Sequence, residues 1–224
     1  KTLDKHHIFD AIDVQPDQLR LSFAEGMHDV LSQDIGKGIN NVVVAGMGGS
    51  ALVGVIAKNW LNSRMLVPLE VVRGYELPGY VGINTLVIVS SASGNTEEAL
   101  CCFKDASRKN AQVITLSSGG LLNAEAEEHT LLDIELQHYS QPRLGVFADL
   151  KAFACIAQDL GLVQGDLRRE LEDVASWLDT QKSQWNLDAT DNAKDNMARS
   201  IAKGLHAKPA LILACPALAA AGSK

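Results

Sequence analysis

Val42-Val43-Val44-Ala45-Gly46-Met47-Gly48-Gly49-Ser50 joins an unbroken apolar run to a glycine cluster, and an apolar pattern at helical spacing continues from Ser50 to Leu61. A run this short and continuous suits a strand buried on both faces that turns tightly into a helix. The same alternation recurs on the carboxyl side. Leu69 to Val72, Thr85 to Val89 and Val113 to Leu116 read as strands, Thr130 to Leu136 as a fifth, and Glu97 to Arg108 as a helix. Continuous apolar strands alternating with helices predict an α/β fold with a parallel sheet covered on both faces, because each crossover lays a helix on the sheet. Strand edges are then where function is sought.

Upstream, Leu19, Phe23, Met27, Val30 and Leu31 recur at helical spacing from Asp17, with Pro16 where a first turn accepts it. Downstream, Gln141-Pro142-Arg143 leads into a helix through Val146, Leu150, Phe153, Ala157 and Leu160, stopped by Gly161. A second long helix starts at Asp166, with Leu167, Leu171, Val174 and Leu178 on one face. Gln181 to Lys194 reads as a polar connector, Met197, Ile201 and Leu205 mark a further helix, and Ala210 to Ala214 predict a new buried strand. The expected division is an N-terminal helical segment at 1–35, a sheet domain at 36–162, a helical connector at 163–208, and the start of a second, incomplete unit at 209–224. Because the sequence opens on Lys1 and breaks off just after the last strand-like run, an incomplete chain is expected.

Composition narrows the function classes. The 224 residues are 46% hydrophobic and 5% aromatic with four cysteines, which excludes disordered, collagen-like and disulfide-scaffold proteins. Twenty basic against 27 acidic side chains leave a net charge of -7, so a nucleic-acid partner is not expected and any phosphate must be caught locally. No signal peptide or membrane span is legible, and a soluble, cytoplasmic protein is expected. Cys101, Cys102, Cys155 and Cys215 form no CxxC pair and read as buried reduced thiols. The histidines lack metal spacing, so no metal is expected. Trp60, Trp177 and Trp185 read as core or interface anchors.

Two loops could carry chemistry. Gly46 to Ser50 presents bare amides and a helix N-terminus at the strand end, a natural place for an anion, although the same pattern also serves as a plain strand-to-helix turn. It lacks the lysine of a Walker loop. A dinucleotide fingerprint would need an acidic residue at the end of the second strand, whereas Glu70 falls inside that strand. The second loop, Ser90-Ser91-Ala92-Ser93-Gly94-Asn95-Thr96-Glu97-Glu98, follows the apolar run Leu86 to Val89. Ser91, Ser93 and Thr96 can each donate to phosphate oxygens, and Gly94 lets the backbone approach. The alternative makes Thr96 a helix cap and Ser91 and Ser93 solvated turn residues. Glu97 and Glu98 fit partners of the helix dipole better than a general base.

The S-x-S-G-N-T-E-E run after a buried strand, with G-M-G-G-S upstream, resembles the sugar isomerase (SIS) domain family. V-V-V-A-G-M-G-G-S-A, R-G-Y-x-L-P at Arg73 to Pro78, S-S-A-S-G-N-T-E-E-A and Gln141-Pro142-Arg143 together are most similar to its bifunctional phosphoglucose/phosphomannose isomerases. The likeness covers about Asp13 to Gly161 and continues weakly to Cys215. It implies a five-stranded parallel sheet between helical layers, followed here by the start of a second such unit. It further implies that Gly49, Ser50, Ser91, Ser93 and Thr96 hold a sugar phosphate, that Arg143 is the active-site arginine, and that no cofactor is used. The implied reaction interconverts glucose 6-phosphate or mannose 6-phosphate with fructose 6-phosphate through an enediolate, in a homodimer whose partner molecule is the hexose 6-phosphate. The family's N-E-N-x-K and H-N-E motifs and its late lysine do not occur in this sequence, so a non-catalytic sugar-phosphate-binding module is the competing expectation. Amino transfer as in glucosamine synthases would need a glutaminase domain or its partner, and no N-terminal nucleophilic cysteine is present.

Overall fold

In the computed structural model the five apolar runs form one parallel sheet; residues 4–5, 8–23, 37–128, 132–185, 196–215 and 218–223 are described. The strands are β1 (Asn41–Ala45), β2 (Leu69–Val72), β3 (Thr85–Ser91), β4 (Gln112–Ser117) and β5 (Leu132–Glu135). Their spatial order is β2-β1-β3-β4-β5, all neighbours parallel. After β1 the chain moves outward to β2, then returns past β1 to lay down β3. Connections from β1 and β3 therefore leave in opposite directions and open a crevice at the carboxyl ends of these two strands, the usual place for a ligand in a doubly wound sheet.

The helices are α1 (Ile8–Asp13), α2 (Gln15–Gln18), α3 (Gly48–Leu61), α4 (Glu97–Arg108), α5 (Gly120–Glu128), α6 (Val146–Asp159), α7 (Leu167–Trp185), α8 (Met197–Leu205) and α9 (Ala219–Ser223), with a 3-10 turn at Pro142–Leu144. Alternation along the strands splits the core. Val42, Val44, Leu86, Ile88, Ile114 and Leu116 pack with Val53, Ala57 and Leu61 of α3 and Phe153 and Ile156 of α6. Their neighbours Val43, Ala45, Val87, Val89 and Val113 point to the other face, against Ala99, Cys102 and Phe103 of α4 and Leu122 of α5. β3 is buried along its whole length, as expected of a central strand covered on both sides.

Several sequence expectations change. The helix expected from Asp17 ends at Gln18 within α2, where Pro16 occupies the first turn, and residues 21–23 are not helical; Met27, Val30 and Leu31 lie outside the described residues. Part of the polar connector is helix, because α7 runs on to Trp185; 186–195 are outside the described residues. On α7 it is Ala175, not Val174, that completes the buried face: Val174 is 45% exposed and Ala175 fully buried. Ala210 to Ala214 form no strand. An apolar run needs a neighbouring strand to complete its hydrogen bonds, none of the described residues pairs with this one, and Leu211 and Leu213 are 84% and 85% exposed. All four cysteines are free, but only Cys102 and Cys155 are buried; Cys101 is half-buried and Cys215 exposed. Trp177 and Trp185 are largely exposed, in edge contact with each other, whereas Trp60 packs on the core. No described helix is long and apolar enough to cross a membrane.

Candidate functional site

The loop after β1 and the loop after β3 meet at the crevice. Ser50, in the first turn of α3, accepts a hydrogen bond at its Oγ from the Ala92 amide at 3.1 Å, which ties the two loops together. A β-carbon at Gly46 would stand 2.7 Å from the Ser90 carbonyl, so glycine allows the loop to lie this close to β3. A third segment completes the edge. A β-carbon at Gly49 would come within 3.0 Å of the Arg143 amide and of Pro142, which sets the 3-10 turn carrying Arg143 against the start of α3.

Both helices at the crevice begin without a side-chain cap. Met47 precedes α3 and offers no oxygen; Thr96 holds the N-cap position of α4 in extended backbone, yet its side chain makes no capping bond. The first amides of both helices therefore keep their positive ends open toward the crevice. The expectation that Thr96 serves only as a cap fails on this geometry.

Hydroxyl protons decide what the cup formed by the loops after β1 and β3 can offer. Ser91, 1% exposed, donates to Thr96 Oγ1 at 2.9 Å, so the proton of Thr96 is left to donate elsewhere. Ser50 Oγ accepts from Ala92, and Ser93 Oγ accepts from the Asn95 amide at 3.2 Å; each keeps its own proton. Ser50, Ser93 and Thr96 can thus each donate a proton to a further acceptor, whereas Ser91 lies beneath and bonds Thr96. Gly49 and Thr96 are half-buried, and Ser93 and Arg143 are exposed. Arg143 forms no ion pair among the described residues and is a cation at the crevice edge.

The loop after β4 supports the cup from the side. Gly94 has φ +65° and a β-carbon there would fall 1.7 Å from the Gly119 carbonyl, while the Leu122 amide donates to the Gly94 carbonyl at 2.9 Å. The Leu121 amide donates to Asn95 Oδ1 at 3.0 Å, and Ser118 Oγ donates to the Ala92 carbonyl. Sequence reasoning did not single out Ser118, although Ser117-Ser118-Gly119-Gly120 repeats the hydroxyl-and-glycine pattern at a strand end. His138 reaches the same place, its Nδ1 3.4 Å from Ser118 Oγ. Behind Pro142, Asp149 in the first turn of α6 is 6% exposed, and burial pushes its carboxyl up to about 7. Its sequence signal was one acid inside the otherwise apolar start of α6. Glu97 and Glu98 stand in the first turn of α4. Among the described residues no group of three or more His, Cys, Asp or Glu could hold a metal ion.

Over 160 residues, 70% of this chain, the sequence is 34% identical to a bifunctional phosphoglucose/phosphomannose isomerase of Caldicellulosiruptor bescii, and the alignment covers 46% of that protein. A tagatose-6-phosphate ketose/aldose isomerase from Escherichia coli superposes with a TM-score of 0.61 at 16% identity, over 96% of this chain and 60% of that one. The five-stranded parallel sheet flanked by helices matches the fold of the SIS phosphosugar isomerases. A second phosphoglucose/phosphomannose isomerase, of Aquifex aeolicus, is 36% identical over 115 residues, 50% of this chain and 36% of that protein. The chain spans about half or less of the lengths of these two phosphoglucose/phosphomannose isomerases. The C-terminal domain of glucosamine-fructose-6-phosphate aminotransferase from Francisella tularensis shares the fold, with a TM-score of 0.57 at 17% identity over 80% of this chain and 54% of that one. No family model matches the sequence.

Proposed function

We propose that the chain is the phosphate-binding part of an aldose-ketose isomerase that interconverts glucose 6-phosphate or mannose 6-phosphate with fructose 6-phosphate. One observation carries the reading: the Ala92 amide to Ser50 Oγ bond joins two uncapped helix starts, and the free hydroxyl protons of Ser50, Ser93 and Thr96 belong to the loops so joined. Uncapped amides and hydroxyls together can hold a dianion without a lysine, which suits a molecule of net charge -7. Gly49 gives a bare amide at the start of α3. Ser91 holds Thr96 in place. The relatives support the sugar as well as the phosphate, since their names share phosphorylated hexoses.

In this reading Arg143, set beside Gly49, faces the carbonyl end of the sugar. Isomerisation moves a proton between C2 and C1 and leaves negative charge on the enediolate oxygens; a guanidinium fixed there stabilises the charge as it develops. No redox cofactor enters such a reaction. The group that takes the C2 proton is assigned to sequence that the relatives have beyond the aligned part. Sheet domain 36–162, connector 163–208 and a second unit from 209 remain the proposed division, with a homodimer as the proposed assembly.

A coupled assay with glucose 6-phosphate and mannose 6-phosphate, run on this chain and on a chain extended to the length of its relatives, tests the proposal. Fructose 6-phosphate formed by the extended chain supports it. An extended chain that binds hexose 6-phosphate but never turns it over leaves the non-catalytic binding module as the better description.

A further inference from the structure

Between the cup and α6 lies a cavity of about 20 Å³, lined by Ala92, Ser118, Tyr139, Pro142, Gly145 and Asp149, among others. That is room for one water or one hydroxyl group. Asp149 is 94% withdrawn from solvent by its 6% exposure, and none of the described residues hydrogen-bonds its carboxylate. An acid buried without a partner is costly, and an apolar residue at this site would be cheaper for the fold. The walls are built to hold something. Gly145 has no β-carbon because one would stand 2.5 Å from the ring of Tyr139, which closes the cavity on that side, and Ser118 is fixed by its bond to the Ala92 carbonyl. Ala92 lies between Ser91 and Ser93, and Pro142 precedes Arg143, so the cavity adjoins the cup and the arginine at once.

We propose that this cavity is a hydroxyl subsite of the sugar-phosphate site, in which the Asp149 carboxylate accepts a hydrogen bond from one hydroxyl of a hexose 6-phosphate whose phosphate occupies the cup. The inference rests on the phosphate-cup reading above. Its volume admits one hydroxyl and rejects a ring, so the sugar lies across the mouth with a single group inserted. Burial alone accounts for the raised titration of Asp149. The neighbouring ionisable groups are Tyr139 and His138 after β5, Arg143 on the 3-10 turn and Lys151 on α6 itself; α7 meets α6 toward its far end, where Arg168 bonds Asp159 at 2.7 Å. Tyr139 titrates higher than usual, through burial first and the charge of Asp149 second, which places its ring near that carboxylate.

Calorimetric titration with inorganic phosphate and with fructose 6-phosphate, on the wild type and on Asp149→Asn, separates the two parts of the site. Expected is a loss of about tenfold or more in affinity for the sugar phosphate with inorganic phosphate unchanged, a split that a merely structural role would not give. The affinity of the wild type for fructose 6-phosphate relative to that of Asp149→Asn should also be larger at pH 8 than at pH 6, because the ionised carboxylate is the stronger acceptor. Equal losses for both ligands, or no loss, would overturn the subsite while leaving the cup intact. Failure of the wild type to bind either ligand would overturn both.

Discussion

Ser91 and Thr96 share one hydrogen bond but play unequal parts. Thr96→Val keeps the side-chain shape and removes the donated proton, so hexose 6-phosphate affinity should fall about 10- to 100-fold, since a hydrogen bond to a charged group is worth about 1.5 to 3 kcal/mol. Ser91→Ala removes only the bond that orients Thr96, and its effect should be smaller, about 1 kcal/mol. Titration of both variants with the same ligand ranks them, and a larger loss in Ser91→Ala would contradict the assignment. Gly94→Ala would drive a β-carbon into the Gly119 carbonyl at a backbone φ of +65°, and should lower thermal stability and weaken phosphate binding together. At this scale the hydroxyl run Ser91, Ser93, Thr96 was legible because a serine-rich turn between a buried strand and a helix has few other uses. The division of labour among them was not, since it depends on which proton each oxygen has already committed.

Among the elements, the 3-10 turn that carries Arg143 is held by one buried side chain from a distant part of the sequence. Gln18, 3% exposed at the end of α2, donates to the Leu144 carbonyl at 2.8 Å and accepts from the Ala148 amide at 3.3 Å. The Ala148 amide also donates to the Gly145 carbonyl at 3.0 Å, so Gln18→Leu would leave only the Leu144 carbonyl without its partner, at about 1 to 3 kcal/mol, and should lower the urea midpoint as well as loosen the placement of Arg143. An unchanged midpoint would show that water replaces the amide at no cost. Arg64 and Glu170 make a paired contact, one of its bonds at 3.0 Å, that ties the end of α3 to α7; it holds the Glu170 carboxyl below the usual range. Partly exposed as it is, Arg64→Gln should cost less than about 1 kcal/mol. Helices α3, α4 and α6 could be read from sequence because each has an apolar face and a glycine or serine boundary. The packing of α2 could not, because a single glutamine with a long-range partner leaves no periodic trace.

For the molecule as a whole, Asp149 sets a pH dependence of stability. Its carboxyl titrates near 7 when folded against an ordinary 3.8, so the folded state binds more protons between those values and stability falls as pH rises through that window. The penalty is complete above about pH 7 and absent below about pH 4. Asp149→Asn should therefore be the more stable protein at pH 8, by up to a few kcal/mol at ~1.4 kcal/mol for each pH unit between the two titrations, and gain nothing near pH 4. Urea unfolding at the two pH values measures this, and a variant less stable than wild type at pH 8 would refute it. The parallel sheet and its two-sided core were legible from continuous apolar strands set between helices. The strand order was not, because the pattern of a strand says what covers its faces and nothing about its neighbours. Ala210 to Ala214 misled for a related reason: apolar composition signals burial only where a partner exists. The proposed phosphate site depends on two helix starts and their hydroxyls acting on one ligand. Calorimetric titration of the chain with fructose 6-phosphate and with unphosphorylated fructose, repeated on a Ser93→Ala, Thr96→Val double variant, is the most direct measurement: binding of the phosphate ester alone, weakened at least tenfold by the double substitution, is predicted, whereas equal binding of both sugars or an unaffected variant would contradict it.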